Sequence, residues 1–189
     1  YMVDRYTFKS DHLFLNEEIV SPPLSSYMNK IVWRDVSRDS QLRRIKATLL
    51  PSGYICGNSL GVICGKDTEL SNLKIMLAIM NSKVYEYQAR SMLVSNHVSA
   101  GIVKKIRIPD VSGEETLVEL VDKQLAGEDV EEAIELAVAH LYDLSADEYK
   151  IIVDSFEMSA ECRSDIIQRY CKNIKMEKSM DWLALMVKK

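Results

Sequence analysis

Leu73, Met76, Leu77, Met80, Val84 and Tyr87 are separated by 3, 1, 3, 4 and 3 residues, and this stripe constrains the fold more than any other feature. The spacing places all six on one face of a helix running from about Leu70 to Met92. Lys74, Lys83 and Arg90 fall away from the stripe, and its methionines read as core filler. Short strand candidates flank the helix. Ile31-Val32-Trp33 is an apolar run with strand character. Leu42 to Leu50 alternates imperfectly and is punctuated by Pro51-Ser52-Gly53. Tyr54 to Cys64 has two apolar runs around Gly57-Asn58-Ser59, the pattern of a strand pair or a bulged strand. Ile102 to Ile108 reads as a closing strand stopped by Pro109.

Beyond Asp110 the pattern becomes helical. Leu117, Leu120, Val121 and Leu125 form one stripe, ended by Gly127; Val130, Ile134, Ala137, Val138 and Leu141 form a second. Ser145-Ala146-Asp147-Glu148 has the capping-box pattern, followed by Ile151, Ile152 and Phe156 as an apolar face. Further helical stretches are expected near Ala160–Cys171 and Met176–Met186. The predicted class is α+β: a small mixed β-sheet domain with one long helix over residues 1–110, then an acidic α-helical region over 111–189.

Charge divides along the same line. Residues 1–109 hold 15 Lys and Arg against 9 Asp and Glu, a balance of +6. Residues 110–189 hold 9 against 19, a balance of −10. Such asymmetry points to a polyanionic partner for the first part, although acidic helices that merely solvate one end give the same count. A chain of 189 residues with 47% apolar side chains buries a core without disulfides or metal. Cys56, Cys64, Cys162 and Cys171 show no Cys-x-x-Cys pairing and read as four small core residues in a reducing cytoplasm. No apolar run approaches a membrane span, and the start of the sequence lacks the pattern of a signal peptide.

Catalytic patterns are missing. There is no Gly-x-Gly-x-x-Gly, no phosphate-binding P-loop, no His-Glu-x-x-His and no Gly-x-Ser-x-Gly. His140 reads as structural, and His97 lies in a polar loop with no assigned nucleophile. What the first part does hold is basic side chains among hydrogen-bonding ones. Arg34, Arg38, Arg43, Arg44 and Lys46 accompany Trp33, Ser37, Ser40 and Gln41, and Lys104, Lys105 and Arg107 form a second cluster. Guanidinium groups pair with phosphate or with the O6/N7 edge of guanine. Lysines and arginines also protect sheet edges from unwanted pairing, so both readings stay open.

The order Arg34-Asp35, Arg43-Arg44-Ile45, Leu50-Pro51-Ser52-Gly53, Asn58-Ser59, Leu73 to Lys83, then Ile106-Arg107-Ile108-Pro109 resembles the TaqI-like specificity domain. That domain is the target-recognition region at the C-terminus of adenine-specific DNA methyltransferases of restriction–modification systems. The helix ending Leu77-Ala78-Ile79-Met80-Asn81-Ser82-Lys83 and the later Ile-x-Ile-Pro carry most of the similarity, which spans about residues 28–156. The Asn/Asp-Pro-Pro-Tyr/Phe motif of such enzymes is missing; Ser21-Pro22-Pro23-Leu24 has the prolines without the flanking residues.

The resemblance implies the reading half of an enzyme, itself non-catalytic and without a cofactor. Its methyltransferase domain, with the S-adenosylmethionine site, would lie upstream in the parent chain. Adenine methylation needs the base flipped out of the duplex, while a recognition domain tests neighbouring pairs in the major groove. On this reading Arg34, Arg38, Arg43, Arg44, Lys46, Lys104 and Lys105 contact double-stranded DNA, with Asn58, Ser59 and His97 as further candidates on loops. Asn81 and Ser82 are expected to serve the helix end or the following turn. The rivals are a protein-interaction module docking through the acidic helices, a type I specificity subunit and a self-contained enzyme.

Overall fold

The structure is a computed structural model and describes residues 2–9, 21–65, 69–111 and 114–172. β1 (Met2–Asp4) and β2 (Thr7–Lys9) form an antiparallel hairpin. Its turn places Tyr6 at φ 59°, a left-handed conformation uncommon for a bulky residue. β3 (Lys30–Arg34), β4 (Ala47–Leu50) and β5 (Leu60–Ile63) form a second antiparallel sheet in the order β4-β3-β5. β3 is central, and its residues Lys30 to Trp33 are buried on both faces. That explains an apolar run where an edge strand would alternate.

One face of this sheet carries Ile31, Trp33, Ala47, Leu49 and Ile63, which join the main core with the helices. The other carries Val32, Leu50, Leu60 and Val62, which pack with Val3 and Phe8 of the hairpin. Gly61 opposes Trp33, and a Cβ there would meet the indole ring at 2.1 Å. Only a glycine lets the Trp33 ring lie across β5. Lys30 is fully buried, and its ammonium donates to the carbonyls of Ser25 (2.8 Å) and Met28 (3.0 Å).

The long helix divides. α1 (Leu70–Asn81) ends at Ser82, whose extended backbone (ψ 157°) starts α2 (Lys83–Met92). The Ser82 hydroxyl donates to the Ile79 carbonyl at 2.7 Å and accepts from the Tyr85 amide at 3.2 Å, so it serves both helix ends. Asn81 donates to the Ala47 carbonyl and accepts from the Ala47 amide, both at 3.0 Å. It thereby pairs with the Ala47 peptide at the edge of β4, and the Ala47 carbonyl also accepts from the Tyr6 amide at 2.9 Å.

The closing strand expected over residues 102–108 is absent. Ala100–Val103 form a short helix, α3, and the following residues turn. The Lys104 amide donates to the Ala100 carbonyl at 3.0 Å, a local bond that satisfies the chain without a ladder. Both described sheets are antiparallel, where a mixed sheet was expected. The α+β class stands, with two small sheets and helix over nearly half of the described residues. The cysteines expected in the core are not buried there: Cys64 and Cys162 are exposed, and Cys56 and Cys171 are half-buried.

α4 (Glu115–Leu125) and α5 (Glu131–Leu141) follow, separated by Gly127 at φ 95°. Leu117, Val121, Ile134 and Val138 are buried in the same core as Leu73, Leu77 and Met80. The division expected at 110/111 therefore falls inside one compact unit, residues 1–142; a second comprises 143–189. In the second, α6 (Ala146–Asp154) begins with the expected capping box of Ser145 and Glu148. Residues 160–172 are helical, and Tyr170 packs against Tyr149 with ring centroids 4.2 Å apart and the rings tilted by 40°, while donating to the Leu144 carbonyl. The stretch expected over Met176–Met186 lies outside the described residues.

Candidate nucleic-acid interface

Three loops meet beyond one end of the sheet. The Asp35 amide, one residue past β3, donates to the Ser59 carbonyl at 3.0 Å. Its carbonyl accepts from the Val98 amide at 2.6 Å. The Ser37 amide donates to the Asn96 carbonyl at 2.8 Å, and Val36 forms an isolated antiparallel bridge with His97. Residues 57–60 turn tightly, with the Leu60 amide donating to the Gly57 carbonyl at 3.1 Å. Backbone pairing thus brings together five expected contact residues that are distant in sequence: Arg34, Arg38, Asn58, Ser59 and His97. Arg38, Asn58, Ser59 and His97 are exposed, and Arg34 is half-buried at the strand end.

Two anchors support these loops from inside. The Trp33 indole N–H donates to the Val98 carbonyl at 2.8 Å. The Arg44 guanidinium donates to the carbonyls of Ser37 (3.0 Å) and Ser95, and to Asp39 at 2.8 Å. Arg44 is 2% exposed. Its expected role as a DNA contact is therefore corrected: the side chain is enclosed by the loops it ties together. Its peptide is held as well, since Glu86 accepts from the amides of Arg44 (2.9 Å) and Ile45 (2.8 Å).

Arg43 is corrected in the same way. It donates to the Asn81 carbonyl at 2.9 Å and pairs with the buried Glu135 of α5. Glu135 also accepts from the Lys83 amide at 2.7 Å and pairs with its ammonium at 3.3 Å. A carboxylate this enclosed needs cationic partners, and Arg43 is the nearest supply. Lys46 pairs with Asp4 at 3.1 Å. Burial pushes the Asp4 carboxyl up, but the Arg5 amide and the charges of Lys46 and Arg34 bring it below its usual value. Lys104 and Lys105 are exposed on the turn after α3. They lie on no strand beside residues 42–50, so the two basic clusters do not merge through the sheet.

Asp35 is a residue the sequence reading passed over. His97 Nδ1 lies 2.8 Å from Asp35 Oδ2. No spacing signals a pair 62 positions apart; only the meeting of the β3 end with the loop before α3 creates it. Comparison with protein-family models, curated proteins and solved structures finds no match to this chain. Among the described residues no group of His, Cys, Asp and Glu is arranged to hold a metal ion. No helix among them is long and apolar enough to cross a membrane.

Proposed function

We propose that this chain recognises double-stranded DNA as the specificity domain of an adenine-N6 DNA methyltransferase whose catalytic domain, with its S-adenosylmethionine site, belongs to the same parent chain. The observation that supports the reading is the gathering of Arg34, Arg38, Asn58, Ser59 and His97 on three mutually bonded loops. A duplex needs cations for its phosphates and short polar groups for its base edges, held in fixed relation. Arg34 and Arg38 serve the first need; Asn58, Ser59 and His97 serve the second. Lys104 and Lys105 add charge on a neighbouring turn, while Arg43 and Arg44 leave the contact set and act as internal supports.

The test is binding of the full chain to a labelled duplex over a range of salt, followed by fluorescence anisotropy. Replacing Arg34 and Arg38 together with Ala should weaken binding and reduce the slope of log affinity against log salt by about 0.9 for each lost phosphate contact. Absence of duplex binding by the wild type at low salt, or an unchanged slope in a folded double variant, would overturn the reading.

A further inference from the structure

We propose that Asp35 and His97 form a polarity-fixed base reader, in which the carboxylate holds the imidazole with an outward lone pair selective for the amino-bearing edge of cytosine or adenine. The partner rests on the DNA reading above; the fixed polarity does not. A carboxylate only accepts hydrogen bonds. With Oδ2 at 2.8 Å, His97 Nδ1 must therefore carry the proton. In the neutral ring Nε2 is then an acceptor, the reverse of the tautomer an imidazole prefers in water.

The geometry holds this arrangement on both sides. Asp35 is immobilised because its amide donates to Ser59 and its carbonyl accepts from Val98. The His97 amide donates to the Ser95 hydroxyl at 3.2 Å, and residue 97 is bridged to Val36. The imidazole itself is 62% exposed, and Nε2 makes no hydrogen bond among the described residues. A ring fixed at one nitrogen and open at the other is suited to recognition. Its side chain covers little of the core, so a packing role does not explain the pair.

The surrounding candidate contacts make the polarity meaningful. Arg34 and Arg38 can only donate, and they match phosphates or the acceptors of guanine. Asn58 and Ser59 carry donors and acceptors alike, so they do not by themselves separate cytosine N4 or adenine N6, which are donors in the major groove, from the acceptors there. The Nε2 lone pair of the neutral ring adds an acceptor of fixed polarity, and it would face guanine O6 or thymine O4 lone pair to lone pair. A good bidentate base contact discriminates by roughly ten- to a hundredfold, and a single bond of this kind belongs at about the tenfold end.

Two measurements test the proposal on the full chain. The first is nitrogen NMR of histidine-labelled protein without DNA, at about pH 8 where a free imidazole is neutral, with His97→Ala assigning the signals. Protonated Nδ1 and unprotonated Nε2 are expected, with reversion to the ordinary tautomer in Asp35→Ala. The opposite tautomer in the wild type would overturn the proposal regardless of DNA. The second is selection from a randomised duplex pool. The wild type should enrich cytosine or adenine at one position, and His97→Ala should lose that preference while keeping the salt slope and the thermal midpoint. An unchanged profile in His97→Ala, or guanine or thymine at the affected position, overturns the proposal and leaves the DNA reading standing. No duplex binding by the wild type overturns the DNA reading and this use of the pair together.

Discussion

Arg44 shows how one side chain can look like a ligand contact and serve as scaffold. Its guanidinium is buried and donates to the carbonyls of Ser37 and Ser95 on two of the three candidate interface loops. Its pairing with Asp39 adds little, because Asp39 is almost fully exposed. Arg44→Met keeps the length and removes the donors, leaving two carbonyls without partners. We expect a loss of roughly 1–3 kcal/mol in urea unfolding, the cost of orphaned buried polar groups. On the proposed DNA reading, affinity should fall with it as the loops loosen, yet the salt slope should stay unchanged, since no phosphate contact is lost. A slope reduced by about one contact would return Arg44 to the DNA-facing set.

Glu131 carries a pH prediction at the same scale. Burial pushes its carboxyl up, but the two hydrogen bonds and the charge of Arg5, helped by Arg43 and Lys83, bring it below its usual value of 4.5. A carboxyl lowered in the folded state contributes stability above its unfolded value, and that contribution disappears as the pH falls through the lowered folded value. Thermal midpoints should therefore drop below about pH 4.5 in the wild type and drop less in Glu131→Gln. The effect is modest, because the Glu131 side chain is 35% exposed. Equal acid sensitivity in the two proteins would show that this pair is not responsible.

At the scale of elements, the meeting of β3 and β5 depends on Gly61. A Cβ there would overlap the Trp33 ring, which is itself buried and hydrogen-bonded to the Val98 carbonyl in the loop before α3. Gly61→Ala should cost roughly 1–3 kcal/mol by overpacking and displace the indole. A lowered thermal midpoint with altered near-ultraviolet dichroism is the expected result; an unchanged midpoint would mean that β5 yields without cost. The glycine could be seen in the sequence, but its reason could not, since it requires knowing that Trp33 lies across it. The same distinction runs through the other elements. The run Ile31 to Trp33, the stripes of α4 and α5 and the capping box at Ser145 were legible because periodicity and local chemistry determine them. The division of the long helix was half legible: Asn81 and Ser82 carry helix-end chemistry, yet the apolar spacing runs through them unbroken. The strand expected at 102–108 failed because alternation alone cannot tell a paired strand from a turn whose hydrogen bonds close locally. Of the candidate interface, the residue types were legible and their exposure was not. Arg34 and Arg44 look alike in sequence, and only the placement of Glu86, Ser37 and Ser95 separates them.

At the scale of the whole molecule, the charge asymmetry changes meaning. Divided at 109/110 the chain reads +6 and −10, but divided at its structural units it reads −3 for residues 1–142, with 16 Lys and Arg against 19 Asp and Glu, and −1 for 143–189, with 8 against 9. Acidic residues of α4 and α5 are neutralised within the first unit. Glu135 pairs with Arg43 and Lys83, Glu131 with Arg5, and Asp122 with Lys74. These helices are therefore parts of the first unit, joined to it by charge and by core. Leu117, Val121, Ile134 and Val138 are each no more than 1% exposed. Burying such side chains contributes roughly 1.5–3 kcal/mol each, together comparable with the whole stability of a domain, about 5–15 kcal/mol. A fragment ending at residue 110 would lose all four and leave Arg43 beside no carboxylate from α5. It should lack a cooperative urea transition and bind apolar dyes, whereas a fragment of residues 1–142 should unfold in one sharp step. A sharp transition for the 1–110 fragment at the midpoint of the 1–142 fragment would mean that α4 and α5 are appendages after all, and that the division read from composition was the physical one.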